Sequence, residues 1–128
     1  MDHGQALGIL NAGIAKATEM GVPMTIAVVD TSADLVAQVR MDGAYRFTVE
    51  IARGKAMVSA ILLQPSGAVA GDNAVSQKLN ELNHDQMVFA QGAVPLFADG
   101  VPVGAVGASG GAPAMDEQVA TAAAAAVG

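Results

Sequence analysis

The stretch Val103-Gly-Ala-Val-Gly-Ala-Ser109-Gly110-Gly111-Ala-Pro113-Ala-Met-Asp116-Glu117 reads as three pieces in succession: a strand of small residues, a glycine break, and a helix that restarts at proline. Proline is at home in the first turn of a helix, where its missing N–H costs nothing. A junction of this kind presents bare backbone N–H groups at a helix N-terminus, which suits an anion or a carboxylate. It serves equally as a plain strand-to-helix joint in which glycine permits close packing. Which reading holds depends on what the rest of the chain brings to the junction.

Two other apolar runs can pair with that strand. Met24-Thr-Ile-Ala-Val-Val-Asp30 predicts a buried strand, Thr31 to Asp34 a turn, and Leu35-Val-Ala-Gln-Val-Arg40 a strand returning beside the first. Asp30 and Ser32 are the turn-formers. Downstream, Met87–Ala90, Val94–Ala98 and Val101–Ala108 read as three more short strands, the last two joined by Asp99-Gly100, a strong tight-hairpin signal.

Helices fill the remainder. Asp2 is a fitting N-cap for a helix to about Met20, with Leu7, Leu10, Ile14 and Ala17 as its apolar stripe. A long helix from about Tyr45 to Leu63 carries Phe47, Ile51, Val58 and Leu62 on one face, and Pro65-Ser66-Gly67 stops it. Asn73 to Leu82 forms a short helix, Asn83-His84-Asp85 a turn, and an alanine-rich helix closes the chain from about Pro113 to Val127. The expected fold is α+β: five mainly antiparallel strands in one sheet, flanked by helices.

With 128 residues the chain is one domain. Apolar residues make up 52% and charged residues only 14%, more apolar surface than a small monomer comfortably exposes, so a homo-oligomer is expected. A net charge of −6 repels nucleic acid and anionic lipid. No cysteine is present, which excludes disulfides, thiolate metal sites and a thiol nucleophile, and fits a reducing compartment. Met1-Asp2-His3-Gly4 carries no basic leader, and no apolar run approaches the roughly 20 residues of a membrane span. The expectation is a cytoplasmic protein with neither a nucleic-acid nor a membrane partner.

If the first and last strands lie antiparallel at the centre of the sheet, four loops converge on one rim, bringing Arg40, Asp42, Ser109, Gly110, Gly111, Asp116 and Glu117 together. Arg46, Glu50 and Arg53 share a helix face at i, i+4 and i+7, the pattern of a solvated ion-pair stripe. Lys55 lies about 160° round the helix from Arg53, at the edge of the apolar face. There it either lays its stem along that face or is held near a partner carboxylate, as base or anion anchor. Asp116 and Glu117 fall in the first turn of the last helix, where the macrodipole favours negative charge, and either can also orient cations or act as acid or base. His84, followed by Asp85, is a solvated loop histidine or an axial haem ligand.

Val28-Val-Asp-Thr-Ser-Ala-Asp-Leu-Val-Ala-Gln-Val-Arg-Met-Asp-Gly-Ala44, Ile51-Ala-Arg-Gly-Lys-Ala56, and Val103 to Gly111 with Met115-Asp-Glu117 resemble the GlcG/HbpS-like family, also described as the haem-degrading or PduO C-terminal domain. The resemblance runs over nearly the whole chain. It implies a five-stranded sheet of the profilin or GlcG-like kind and dimers or larger rings up to octamers. It also implies haem as a cofactor of some relatives, and a place beside small-molecule catabolism for others. The chain departs from the family pattern at Thr31-Ser-Ala-Asp34, Gly92-Ala93 and Ala108-Ser109, and the resemblance places no family haem-ligand histidine on His3 or His84.

Two functions lead, ahead of a third in which the chain is a non-catalytic assembly partner. One is a small-molecule-binding protein that takes haem or another carboxylated ligand on the glycine turn and Arg40, with His84 as axial ligand. The other is a metal-independent acid–base enzyme, an isomerase, lyase or hydrolase of a small carboxylate or carbonyl compound. Lys55 with Asp116 or Glu117 would then do the proton chemistry and the turn would hold an oxyanion.

Overall fold

A computed structural model describes residues 1–128. The elements run α1 (His3–Met20), β1 (Thr25–Val29), β2 (Leu35–Arg40), α2 (Thr48–Leu62), a 3₁₀ turn (Ser66–Ala68), α3 (Ala74–Leu82), β3 (Ala93–Ala98), β4 (Val101–Ser109) and α4 (Pro113–Ala124). The strands form one antiparallel sheet in the order β2-β1-β4-β3, so the first and last strands are the central pair. No helix is long and apolar enough to cross a membrane.

Helices cover both faces of the sheet, which is why all five residues of β1 are buried. On one face α1 and α4 pack Ala6, Ile9, Leu10, Val119 and Ala120 against Ile26, Val28, Leu96 and Val106. On the other, α2 places Ala56, Met57 and Ala60 against Val29, Ala105 and Met87. The close approach of α2 to β4 requires Gly107, because a Cβ there would overlap the Ala52 carbonyl oxygen. Asp2 caps α1 through a capping box with Gln5, and Gly21 ends it in the left-handed region. Asp30 Oδ1 accepts from the N–H groups of Ser32 and Asp34, closing the β1–β2 turn.

The sheet has four strands, not the expected five. Met87–Ala90 has strand composition but spends its backbone donors elsewhere: Met87 N–H donates to Asn80 Oδ1 and Val88 N–H to Gly54 O of α2. The segment lines a helix instead of joining the sheet. Two apolar faces also shift. α1 turns Leu7 outward and buries Ala6, Ile9, Leu10, Gly13 and Ala17, because Gly13 lets Ile26 and Ala123 approach its backbone. α2 begins at Thr48, so Phe47 lies outside its packed face and is 60% exposed.

Candidate functional site

Register alone builds the rim. Thr25, the first residue of β1, pairs with Arg40 at the end of β2 and with Ser109 at the end of β4. Arg40 and Ser109 therefore stand two strand spacings apart, roughly 10 Å, on either side of Thr25. Pro23 continues between the two following turns: a Cβ on Gly43 would lie 3.5 Å from its ring, and one on Gly110 2.6 Å from its carbonyl oxygen. Gly110 has φ 150°, a conformation only glycine adopts readily.

Lys55 and Asp116 meet behind this rim. Lys55 Nζ lies 3.0 Å from Asp116 Oδ2 and donates to Ala108 O at 3.1 Å, with both side chains at most 5% exposed. Gly92 makes room for the ammonium, since a Cβ there would lie 2.7 Å from Nζ. The other carboxylate oxygen, Asp116 Oδ1, accepts from Gly111 N–H at 2.8 Å. An amide of the glycine turn is thus taken by the chain's own carboxylate. The pair fastens α2, β4 and α4 at one point.

Burial pushes the Asp116 carboxyl above its ordinary range, against the opposing pull of the Gly111 N–H and the Lys55 ammonium. Glu117 turns away from this pair: its Oε2 accepts from Gln91 Nε2 at 2.9 Å. It also lines an open groove along α4 with Lys16 and Thr121. Gln91 went unremarked in the sequence because its partner lies 26 residues downstream and nothing local marks it.

Arg40 and Asp42 are exposed and take part in no ion pair. Beside them the chain turns at Met41–Ala44 and presents Tyr45 and Phe47, which are 71% and 60% exposed, with ring centroids 5.7 Å apart and planes at 15°. This exposed stacked pair leads into α2, whose Thr48 hydroxyl lies 2.7 Å from that of Thr25, so the aromatic pair is anchored next to the Arg40–Thr25–Ser109 row. Arg46 stands between the rings in sequence and pairs loosely with Glu50 at 3.5 Å.

His84 sits elsewhere, exposed in the turn after α3, with φ 59° and its N–H donated to Glu81 O. None of its hydrogen bonds reaches the rim. Of the expected ion-pair stripe, Arg46 and Glu50 are paired, while Arg53 joins no ion pair and its Nε is buried without a hydrogen-bond partner. Three principal cavities, of about 350, 360 and 410 Å³, have no lining histidine and do not reach Lys55, Asp116 or Arg40.

A four-stranded antiparallel sheet with helices on both faces and a rim built from β1, β2 and β4 defines an α+β class. Residues 1–125 match the family model described as haem degrading protein HbpS-like, and the chain belongs to that family. A Citrobacter freundii 15.0 kDa protein of the dhaT-dhaS intergenic region is 31% identical over 109 residues, 83% of this chain and 77% of that protein. The crystal structure of HbpS, at 29% identity, has a TM-score of 0.88 and covers 100% of this chain and 90% of its own. PduOC, solved as a haem complex, shares the fold at 24% identity with a TM-score of 0.84, covering 99% and 94%.

Proposed function

We propose that this protein binds a carboxylated small molecule on its rim, with haem the leading chemistry. The observation that carries the reading is the exposed stack of Tyr45 and Phe47 beside Arg40 and Arg46. A flat macrocycle gains apolar contact from such a face, and its propionates gain charge-assisted bonds from the two guanidinium groups. Membership of a family described as haem degrading supports haem as the first ligand to try, as does the haem complex of PduOC, a chain of the same fold.

The donor set suits a surface or shared site rather than a deep pocket. His3 and His84 are both exposed, and neither lines a principal cavity. Either ring, from the same copy or a neighbouring one, could supply an axial nitrogen to iron. The acid–base alternative has less support: Lys55 and Asp116 are buried against each other, and Glu117 is held by Gln91. Their arrangement suits holding the rim in shape.

Titrating haem into the purified protein tests the reading. A Soret shift that saturates, and that weakens in Tyr45→Ala/Phe47→Ala and in Arg40→Ala, is expected. No shift, or a shift untouched by all of these substitutions, would remove the rim as the site. His84→Ala and His3→Ala, followed by the low-spin bands, identify the axial ligand.

A further inference from the structure

A second site lies on α2, away from the rim. The segment after α3 folds over α2 because position 54 is glycine: a Cβ there would lie 2.5 Å from Gln86 O and from Val88 Cγ2. Val88 N–H donates to Gly54 O at 3.1 Å and Asp85 N–H to Asn80 O at 2.8 Å, which fixes the segment. His84 and Asp85 are held in succession at φ 59° and 58°, a left-handed conformation that non-glycine residues adopt at a cost. Between the segment and the helix opens a cavity of about 360 Å³, a volume ordinary for a small-molecule site.

The charges around it are mixed and only partly compensated. Glu50, Arg53, Asp85 and Gln86 line the cavity with Ile51 and Val88. Arg53 and Asp85 belong to none of the four ion pairs, and Glu50 is engaged only at the surface by Arg46. Arg53 Nε is buried and has no hydrogen-bond partner. A buried donor without an acceptor is a rare feature that a ligand or an ordered water accounts for.

The mixture narrows the ligand. A simple anion would pair with Arg53 but meet two carboxylates. A divalent cation would meet the guanidinium, and the chain has no cluster of three metal-ligating side chains. A molecule with a carboxylate beside an ammonium group satisfies both signs. Arginine's planar fork takes a carboxylate in a two-bond geometry that uses Nε and one terminal nitrogen.

We infer that the cavity between α2 and the turn after α3 binds a free α-amino acid, whose carboxylate pairs with Arg53 and whose ammonium faces Asp85 and Glu50. The inference rests on other residues than the haem reading and meets it only where Arg46 pairs with Glu50.

Amide NMR on the full chain tests it, with each common L-α-amino acid as probe in turn and acetate and methylammonium as single-headed controls. At least one amino acid should shift the Gly54, Asp85 and Val88 amides saturably. Each control should bind about ten-fold more weakly or worse. Arg53→Gln and Asp85→Asn should each weaken binding about ten-fold or more, with the Thr25 and Ser109 amides unmoved throughout. Asp85 is exposed, so its substitution decides the matter if Arg53→Gln fails to fold. The inference is overturned if no amino acid shifts these amides up to ~10 mM, or if acetate alone binds as tightly. It is equally overturned if the folded variants bind as the parent does, in which case the Nε partner is water.

Discussion

The Thr25 hydroxyl donates to the Thr48 hydroxyl across 2.7 Å, both side chains being fully buried. The direction follows from the proton count: Thr48 has one hydroxyl hydrogen and gives it to Tyr45 O, so toward Thr25 it can only accept. This chain of two bonds ties the centre of the sheet to the first turn of α2 and to the exposed aromatic pair before it. Thr48→Val leaves the Thr25 hydroxyl buried without a partner and should cost about 1–3 kcal/mol in urea unfolding. Replacing both threonines by valine removes the pair together and should cost less than Thr48→Val alone, because Thr25→Val by itself leaves the Thr48 hydroxyl its bond to Tyr45 O. A double variant no better than the worse single one would mean that the bonds matter less than the shape of the site.

The Lys55–Asp116 pair obeys the same asymmetry with larger stakes. Asp116→Ala strands a buried ammonium beside Ala108 O, and Lys55→Met strands a buried carboxylate beside Gly111 N–H. Each should destabilise by about 3–5 kcal/mol, whereas Lys55→Met/Asp116→Leu should recover most of the loss. A thermodynamic cycle over the four chains reads the coupling directly. Additive losses would show that the two groups are not coupled as their 3.0 Å separation implies.

Asp116 also gives stability a pH signature. Its carboxyl is raised above the ordinary 3.8, so just above that value the folded chain holds a proton that the unfolded chain has released. Where the native state binds more protons, stability falls as pH rises. The contribution is therefore lost as pH rises from about 3.8 through the folded value. In Asp116→Asn it is absent, while the other carboxylates common to both chains cancel in the comparison. Unfolding midpoints across acidic pH should fall with rising pH in the parent relative to Asp116→Asn. Parallel profiles, or the opposite slope, would contradict the burial argument.

Much of this was readable from residues alone, and the failures have physical causes. The central pairing of β1 with β4 follows from two apolar runs long enough to be buried on both faces, and the Asp99-Gly100 hairpin follows from its turn chemistry. The angular offset of Lys55 from Arg53 sets it at the edge of the apolar face with two outcomes open, and the structure buries it against Asp116. Met87–Ala90 misleads because strand propensity reports a side chain's fit to a pleated surface, whereas pairing depends on where the N–H groups go. Arg53 misleads for a related reason. Helical spacing puts it on the Arg46–Glu50 face, but the segment that covers it arrives from more than thirty positions later, beyond any local pattern. The glycine turn reads correctly as a source of backbone donors, yet local sequence could not show that Asp116 would take one of them.

Glycine positions separate packing from flexibility. Gly107 lies where α2 crosses β4, and a methyl group there would overlap Ala52 O and lie 3.0 Å from Ala56 N, both backbone atoms of a helix that cannot yield locally. Gly107→Ala should therefore push α2 away from the sheet and cost about 3 kcal/mol, the upper end of the usual overpacking penalty. Because α2 carries Lys55, the displacement should also lengthen the Lys55–Asp116 contact. Gly8 lies within α1, and a Cβ on it meets nothing within 4 Å. Gly8→Ala gains only the helix preference of alanine and should stabilise by about 1 kcal/mol. Thermal unfolding of the two variants should move in opposite directions from the parent; if Gly107→Ala unfolds no earlier than the parent, α2 does not rest on β4 as closely as its backbone spacing requires.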